Sequence, residues 1–157
     1  MTSTVFKQII DLPSLPTLVN DLQHYLDEER TRRQKFYEWI EDDQKAEFIQ
    51  GEIILNSPET NEHSDVVGHL HSTTSIYADI CKLGKVKAQT TMISLTRNDY
   101  EPDIVFWRKE ISDSFIATQT HYPAPDFVVE VLSKSSSRRD RIVKFKDYAN
   151  TALRSIG

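Results

Sequence analysis

Apolar and polar positions follow two rhythms along this chain, and together they predict a mixed architecture. From about Thr17 to Ile40 the pattern is helical, with Leu18, Leu22, Tyr25 and Leu26 on its first apolar face. A second helical stretch runs from about Glu62 to Lys82, where Val67, Leu70, Thr74 and Tyr77 recur at helical spacing. Between them Phe48 to Leu55 reads as a strand or hairpin arm, ended by Asn56-Ser57-Pro58. Val86 to Ala88 and Thr91 to Leu95 read as short strands, and Arg97-Asn98-Asp99 as a turn. Two apolar runs follow, Ile104-Val105-Phe106-Trp107 behind Pro102-Asp103, and Phe127 to Leu132 behind Asp126. The run from Phe127 to Leu132 predicts a strand covered on both faces. After the polar break Ser133 to Ser137, the segment from Arg138 to Ala149 predicts a helix with Ile142, Phe145 and Ala149 as its apolar stripe. Met1 to Pro16 reads as an irregular segment, and 17–157 as one domain.

Composition narrows this picture. With 157 residues, 38% of them apolar, the chain suits one α/β domain around a single core. No apolar run approaches the roughly 20 residues that cross a bilayer, and the N-terminus carries no signal-peptide pattern, so no membrane partner and a cytoplasmic location are expected. Cys81 stands alone, which excludes an internal disulfide and a thiolate zinc cluster and predicts a buried core thiol. The net charge of −5 argues against broad attraction to nucleic acid but leaves room for local basic patches. Lys82, Lys85 and Lys87 form one, and Arg138, Arg139, Arg141, Lys144 and Lys146 form another. Arg30, Arg32, Arg33 and Lys35 lie among acids and predict a solvated, salt-bridged helix face.

The candidate chemistry rests on charges placed inside apolar strands. Glu130 interrupts an otherwise apolar run, and a buried carboxylate needs a cation or hydrogen-bond donors. Asp103 stands at the first ladder position of the preceding apolar strand, behind a proline that donates nothing. Neighbouring strands lie about 4.8 Å apart, so if the two pair with these acids level, one hard divalent cation can bridge them. Each residue also has an ordinary account: Glu130 paired with a basic side chain, Asp103 as a solvated strand end, Lys144 as a surface lysine paired with Asp140. Lys146 is an equal local candidate to Lys144. His69 and His71, at i and i+2, point to different sides of a helix and make no zinc pair. There is no P-loop, dinucleotide-binding glycine run or nucleophile elbow.

Four stretches, taken together, resemble the Uma2 family, also called DUF820, of the restriction-endonuclease-like PD-(D/E)XK superfamily. They are Lys45 to Glu52, Asn98 to Phe106, Pro125 to Ser133, and Arg138 through Lys144 to Ala149, in the family's order. The resemblance implies a restriction-endonuclease-like α/β (α+β) core, a central mixed sheet flanked by helices. It also implies metal-dependent hydrolysis of nucleic-acid phosphodiesters, with DNA as the expected partner and Mg²⁺, replaceable by Mn²⁺, as cofactor. Asp103 and Glu130 match the metal-binding acids, and Glu47 an additional acid. Leu132 stands where the signature lysine belongs, and Lys144 supplies the displaced ammonium. His63 matches a common accessory histidine, and Arg138, Arg139 and Arg141 are candidate phosphate contacts. Family members continue into another strand, which Asn150 to Gly157 does not resemble, so the last strand is expected to be missing. The expected function is an endonuclease; the alternative is a catalytically inactive nuclease-fold domain serving as a nucleic-acid-binding or protein-interaction module, such as a homodimer.

Overall fold

The computed structural model describes residues 4–40, 45–132 and 140–152. Its first helix, α1 (Thr4–Ile10), lies within the segment expected to be irregular. Thr4 to Ile10 contains neither glycine nor proline, and Pro13 and Pro16 fall beyond it, so nothing interrupts helical hydrogen bonding there. Helix α2 (Leu15–Trp39) follows, with proline in its first turn, where a missing N–H costs no helical bond. Half of its predicted apolar face is solvent-facing, since Leu22 and Tyr25 are exposed while Leu18 and Leu26 are half-buried. The contact with the core is made further along, by Phe36 and the buried Glu29.

Strands β1 (Ala46–Ile49) and β2 (Glu52–Leu55) form a hairpin closed by Gln50 and Gly51, both at positive φ, as a two-residue type I′ turn requires. Every residue of β1 is buried, whereas β2 is largely exposed at the sheet edge. Helix α3 (Asn61–Ile80) is capped by Thr60, whose side chain accepts from the His63 amide. The helix packs on β3 (Gly84–Ala88); its buried residues are Val67 and Ala78, three turns apart, while Leu70 and Tyr77 of the predicted face are exposed. Cys81, just past the last helical turn, is exposed and not the core thiol expected. Gly84 lies against the backbone of the next strand, and a Cβ there would sit 2.0 Å from the Trp107 carbonyl oxygen.

The remaining elements are β4 (Met92–Ser94), β5 (Asp99–Tyr100), β6 (Ile104–Arg108), α4 (Lys109–Ser112), β7 (His121–Tyr122), β8 (Phe127–Val129), a π-helical turn (Asp140–Lys144) and α5 (Phe145–Ala152). Two sheets result. One runs β2-β1-β5-β4-β7 and is mixed, because only β4 and β7 are parallel; the other is antiparallel, β3-β6-β8. One core cluster draws on both, joining Ile93, Tyr100 and Tyr122 of the first to Val105 and Trp107 of the second.

Two strand and helix expectations change. Strand β8 ends at Val129 and, among the described residues, pairs only with β6; Phe127 is exposed, so the run is not covered on both faces. In the last helix Ile142 and Phe145 face solvent, while Val143 and Tyr148 pack on the core and Lys144 is buried. The π-helical turn shifts the register of the helix at this point, and the acids facing Lys144 hold it inward. The predicted missing last strand concerns residues that lie outside the described ones beyond Ala152.

Candidate active site

Asp103 immediately precedes β6 and Glu130 immediately follows β8. Ile104 pairs with Val129, so one further step of the same antiparallel register brings the two acids level. Asp103 is buried, and its Oδ2 accepts from the Val131 amide at 2.7 Å. Glu130 Oε1 accepts from Lys144 Nζ at 3.1 Å and from the Tyr148 hydroxyl at 2.8 Å. Burial, and then the charge of Glu130, push the Tyr148 phenol upward, so it remains the proton donor of that bond.

Lys144 carries this cluster across to the first sheet. Its ammonium lies 2.7 Å from Oε1 of Glu47, a fully buried acid of β1, and that same oxygen accepts from the Glu101 amide at 3.0 Å. An ammonium this deep is tolerable only because two carboxylates face it. The side chain of Asp140, the partner considered from sequence, lies outside the described residues, and Lys146, the other candidate, is exposed. Glu101, two residues before Asp103, is also buried, and burial pushes its carboxyl up to about 7. Two carboxylate oxygens here, Glu47 Oε2 and Glu101 Oε2, are buried and have no hydrogen-bond partner among the described residues.

A second cluster lies on the other side of Asp103. His63 Nε2 sits 3.3 Å from Asp103 Oδ2 and 3.0 Å from the Val131 carbonyl oxygen, and His63 Nδ1 sits 3.3 Å from Glu59 Oε2. Lys45 Nζ lies 2.6 Å from Glu59 Oε1 and 3.7 Å from Asp103 Oδ1. Burial raises the Glu59 carboxyl, but the bond and charge of Lys45 outweigh it and leave Glu59 below its ordinary range. Glu59, His63 and Asp103 are the group of potential metal ligands whose donor atoms all lie within 4.8 Å of one another among the described residues.

The structure gathers Glu47, Glu130 and Lys144 into one cluster of polar contacts and Asp103 and His63 into a second, and the two meet where Val131, next to Glu130 in the chain, bonds Asp103 and His63 through its backbone. Arg141 is exposed on the π-helical turn, and Arg138 and Arg139 lie outside the described residues. Sequence reasoning overlooked Lys45, Glu59 and Glu101 as members of the site. A signal existed for two of them, since Lys45 and Glu101 stand two residues before Glu47 and Asp103, at the strand period. Glu59 sits in a loop, where no periodicity marks it. Glu59, His63 and Asp103 offer a donor set that fits a divalent cation, and, separately, Glu47 Oε2 and Glu101 Oε2 are buried oxygens without a partner among the described residues.

Comparison with known proteins agrees with this architecture. A crystal structure of "a putative nuclease belonging to DUF820" from Anabaena variabilis ATCC 29413 matches with a TM-score of 0.65 at 18% identity, over 75% of this chain and 67% of that one. At that identity the likeness speaks to the fold. No curated protein matches the sequence. The Uma2 family profile, described as "Putative restriction endonuclease", matches residues 33–155. This chain belongs to the Uma2 family.

Proposed function

We propose that this protein is a metal-dependent endonuclease that hydrolyses phosphodiester bonds of nucleic acid, DNA in the first instance. The observation that supports the reading is a pair of acids flanking two paired strands, Asp103 just before β6 and Glu130 just after β8, with the buried Lys144 bonded to Glu130. Asp103 and Glu130 would hold the cation, Mg²⁺ or Mn²⁺, with Glu47 supporting it directly or through water. When bound there, such a cation would supply Lewis-acid stabilisation of the charge that develops on the scissile phosphate. Lys144 positions the attacking water, its own place set by Glu47 and Glu130. Tyr148 donates to Glu130 and so fixes which way that carboxylate faces. The exposed Arg141, with Arg138 and Arg139 next to it in sequence, offers cationic contacts to the phosphate backbone.

A second reading, a catalytically silent domain that binds nucleic acid or another protein, is favoured by one observation. Lys144 already neutralises both Glu47 and Glu130. Incubation with supercoiled plasmid and with a structured RNA, each with Mg²⁺ or Mn²⁺, separates the two. Cleavage lost in Asp103→Asn, Glu130→Gln and Lys144→Ala, with circular dichroism unchanged, is the expected result. Full activity in any one variant removes that residue from the site. A folded wild type that cuts neither probe moves the assignment to the silent domain.

A further inference from the structure

We propose that helix α3 pairs with α3 of a second copy of this chain, antiparallel about a two-fold axis near Thr73, through an apolar seam on the flank of the helix that the sheet leaves bare. The pairing is independent of what the candidate site does.

The spacing of residues along α3 carries the seam. Val66, Leu70, Thr73, Tyr77 and Ile80 follow one another at steps of four, three, four and three, the repeat by which one helix seats against another. All five are exposed, Tyr77 by 63% and Ile80 by 77%, and none is charged. The buried residues Val67 and Ala78 each stand one position on from a seam residue, about 100° around the helix, so the core does not compete for this flank. The Thr73 hydroxyl donates to the His69 carbonyl oxygen at 2.9 Å and brings no unmet hydrogen bond into a dry contact.

Three features fit a second copy as the occupant. A two-fold near Thr73 sets the Val66 end against the Ile80 end of the other chain and Leu70 near its Tyr77, so the seam is self-complementary. Exposed Glu62 and Asp65 mark the start of α3, and exposed Lys82 and Lys85 lie just past its end. Antiparallel pairing therefore brings opposite charges together, where a parallel one would set like beside like. With Ile76, exposed at the border of the seam, the six residues would bury on the order of 600 Å² per copy, about the least that a stable interface needs. Pairing through the sheet is discouraged instead, because β3, an edge strand among the described residues, carries Lys85 and Lys87. Since His63 lies at the start of α3, the two candidate sites stand about 30 Å apart along the paired helices.

Sedimentation velocity on the full chain at about 100 µM tests the pairing, with a dimer of twice the 18.2 kDa of one chain expected. Tyr77→Glu and Ile80→Glu, at exposed helical positions, are each expected to weaken association by about 100-fold or more with circular dichroism unchanged. Disulfide capture reads the geometry even if a glutamate variant fails to fold. In a Cys81→Ser background, Thr73→Cys should give a linked dimer on mild oxidation, whereas Val66→Cys, about 21 Å from its own copy, should not. A wild type that stays monomeric overturns the proposal and leaves the face to a different protein. A dimer that both glutamate variants leave intact also overturns it and moves the interface elsewhere, and linkage through Val66→Cys in place of Thr73→Cys overturns the antiparallel arrangement.

Discussion

Asp99 and Glu47 stand on neighbouring strands of one sheet, both are fully buried, and each meets a cation from a helical segment, yet they are built for different purposes. Around Asp99 both carboxylate oxygens are bonded. Arg33 of α2 binds Oδ2 at 2.5 Å and Oδ1 at 2.7 Å, Tyr37 donates to Oδ1 at 2.9 Å, and the rest of the guanidinium reaches the carbonyls of Leu95, Thr96 and Asn98. Burial works against the Arg33 charge, but the Asp99 bonds outweigh it and hold that guanidinium above its ordinary range. Around Glu47, Oε1 is shared between Lys144 and the Glu101 amide, and Oε2 has no partner among the described residues. A saturated buried pair fixes one element on another. An acid left with spare oxygens beside a second buried acid keeps capacity for something that binds.

The largest test of this contrast is Asp99→Ala, which strands a half-buried guanidinium and detaches α2 from β5. A loss of about 3–5 kcal/mol in urea unfolding is expected, and a loss below about 1 kcal/mol would erase the structural half of the comparison. Next comes Glu101→Gln, measured across pH. The unfolded carboxyl titrates near 4.5 and the folded one about 7, so between these values the native state keeps a proton that the unfolded chain has lost, and native stability falls as pH rises. The variant should therefore match the wild type below pH 4.5 and be more stable above pH 7, by at most about 3 kcal/mol. Equal stability at pH 8 would mean that Glu101 is not held at a cost.

Glu47→Gln should cost less than about 1.5 kcal/mol, because the amide oxygen still accepts from the Glu101 backbone and Lys144 keeps Glu130. A cost equal to that of Asp99→Ala would merge the two clusters into one structural class. The smallest effect belongs to Arg30→Ala on the exposed face of α2. Its pair with Asp27 is solvent-screened, and a thermal or urea melt should move by less than about 0.5 kcal/mol.

How far the site was readable depended on the kind of signal each residue leaves. Asp103 and Glu130 were visible because a charge inside an apolar run is an anomaly that local pattern exposes. Lys144 was visible only through resemblance, since periodicity places Ile142 and Phe145 inward and the π-helical turn reverses that. Arg33 looked like its neighbours Arg30 and Arg32 in a mixed-charge helix. Arg30 and Arg32 do make surface pairs with Asp27 and Glu28, whereas Arg33 reaches 66 residues along the chain to Asp99. The tight hairpin was only half visible, because Gln50 adopts positive φ without being glycine, helped by Asn98 accepting from its amide.

The sequence by itself determined the alternation of helices and strands, the family, and the two acids at strand ends, all of which rest on local period and on the cost of charge in apolar surroundings. Tertiary structure alone decided which basic group meets which acid. Glu47 and Lys144, or Lys45 and Asp103, are far apart along the chain, and periodicity reports the face a side chain occupies, never the partner across from it. Strand order and the placing of α3 and the π-helical turn bring these residues together, because buried carboxylates must find a cation or donors wherever the fold can supply them.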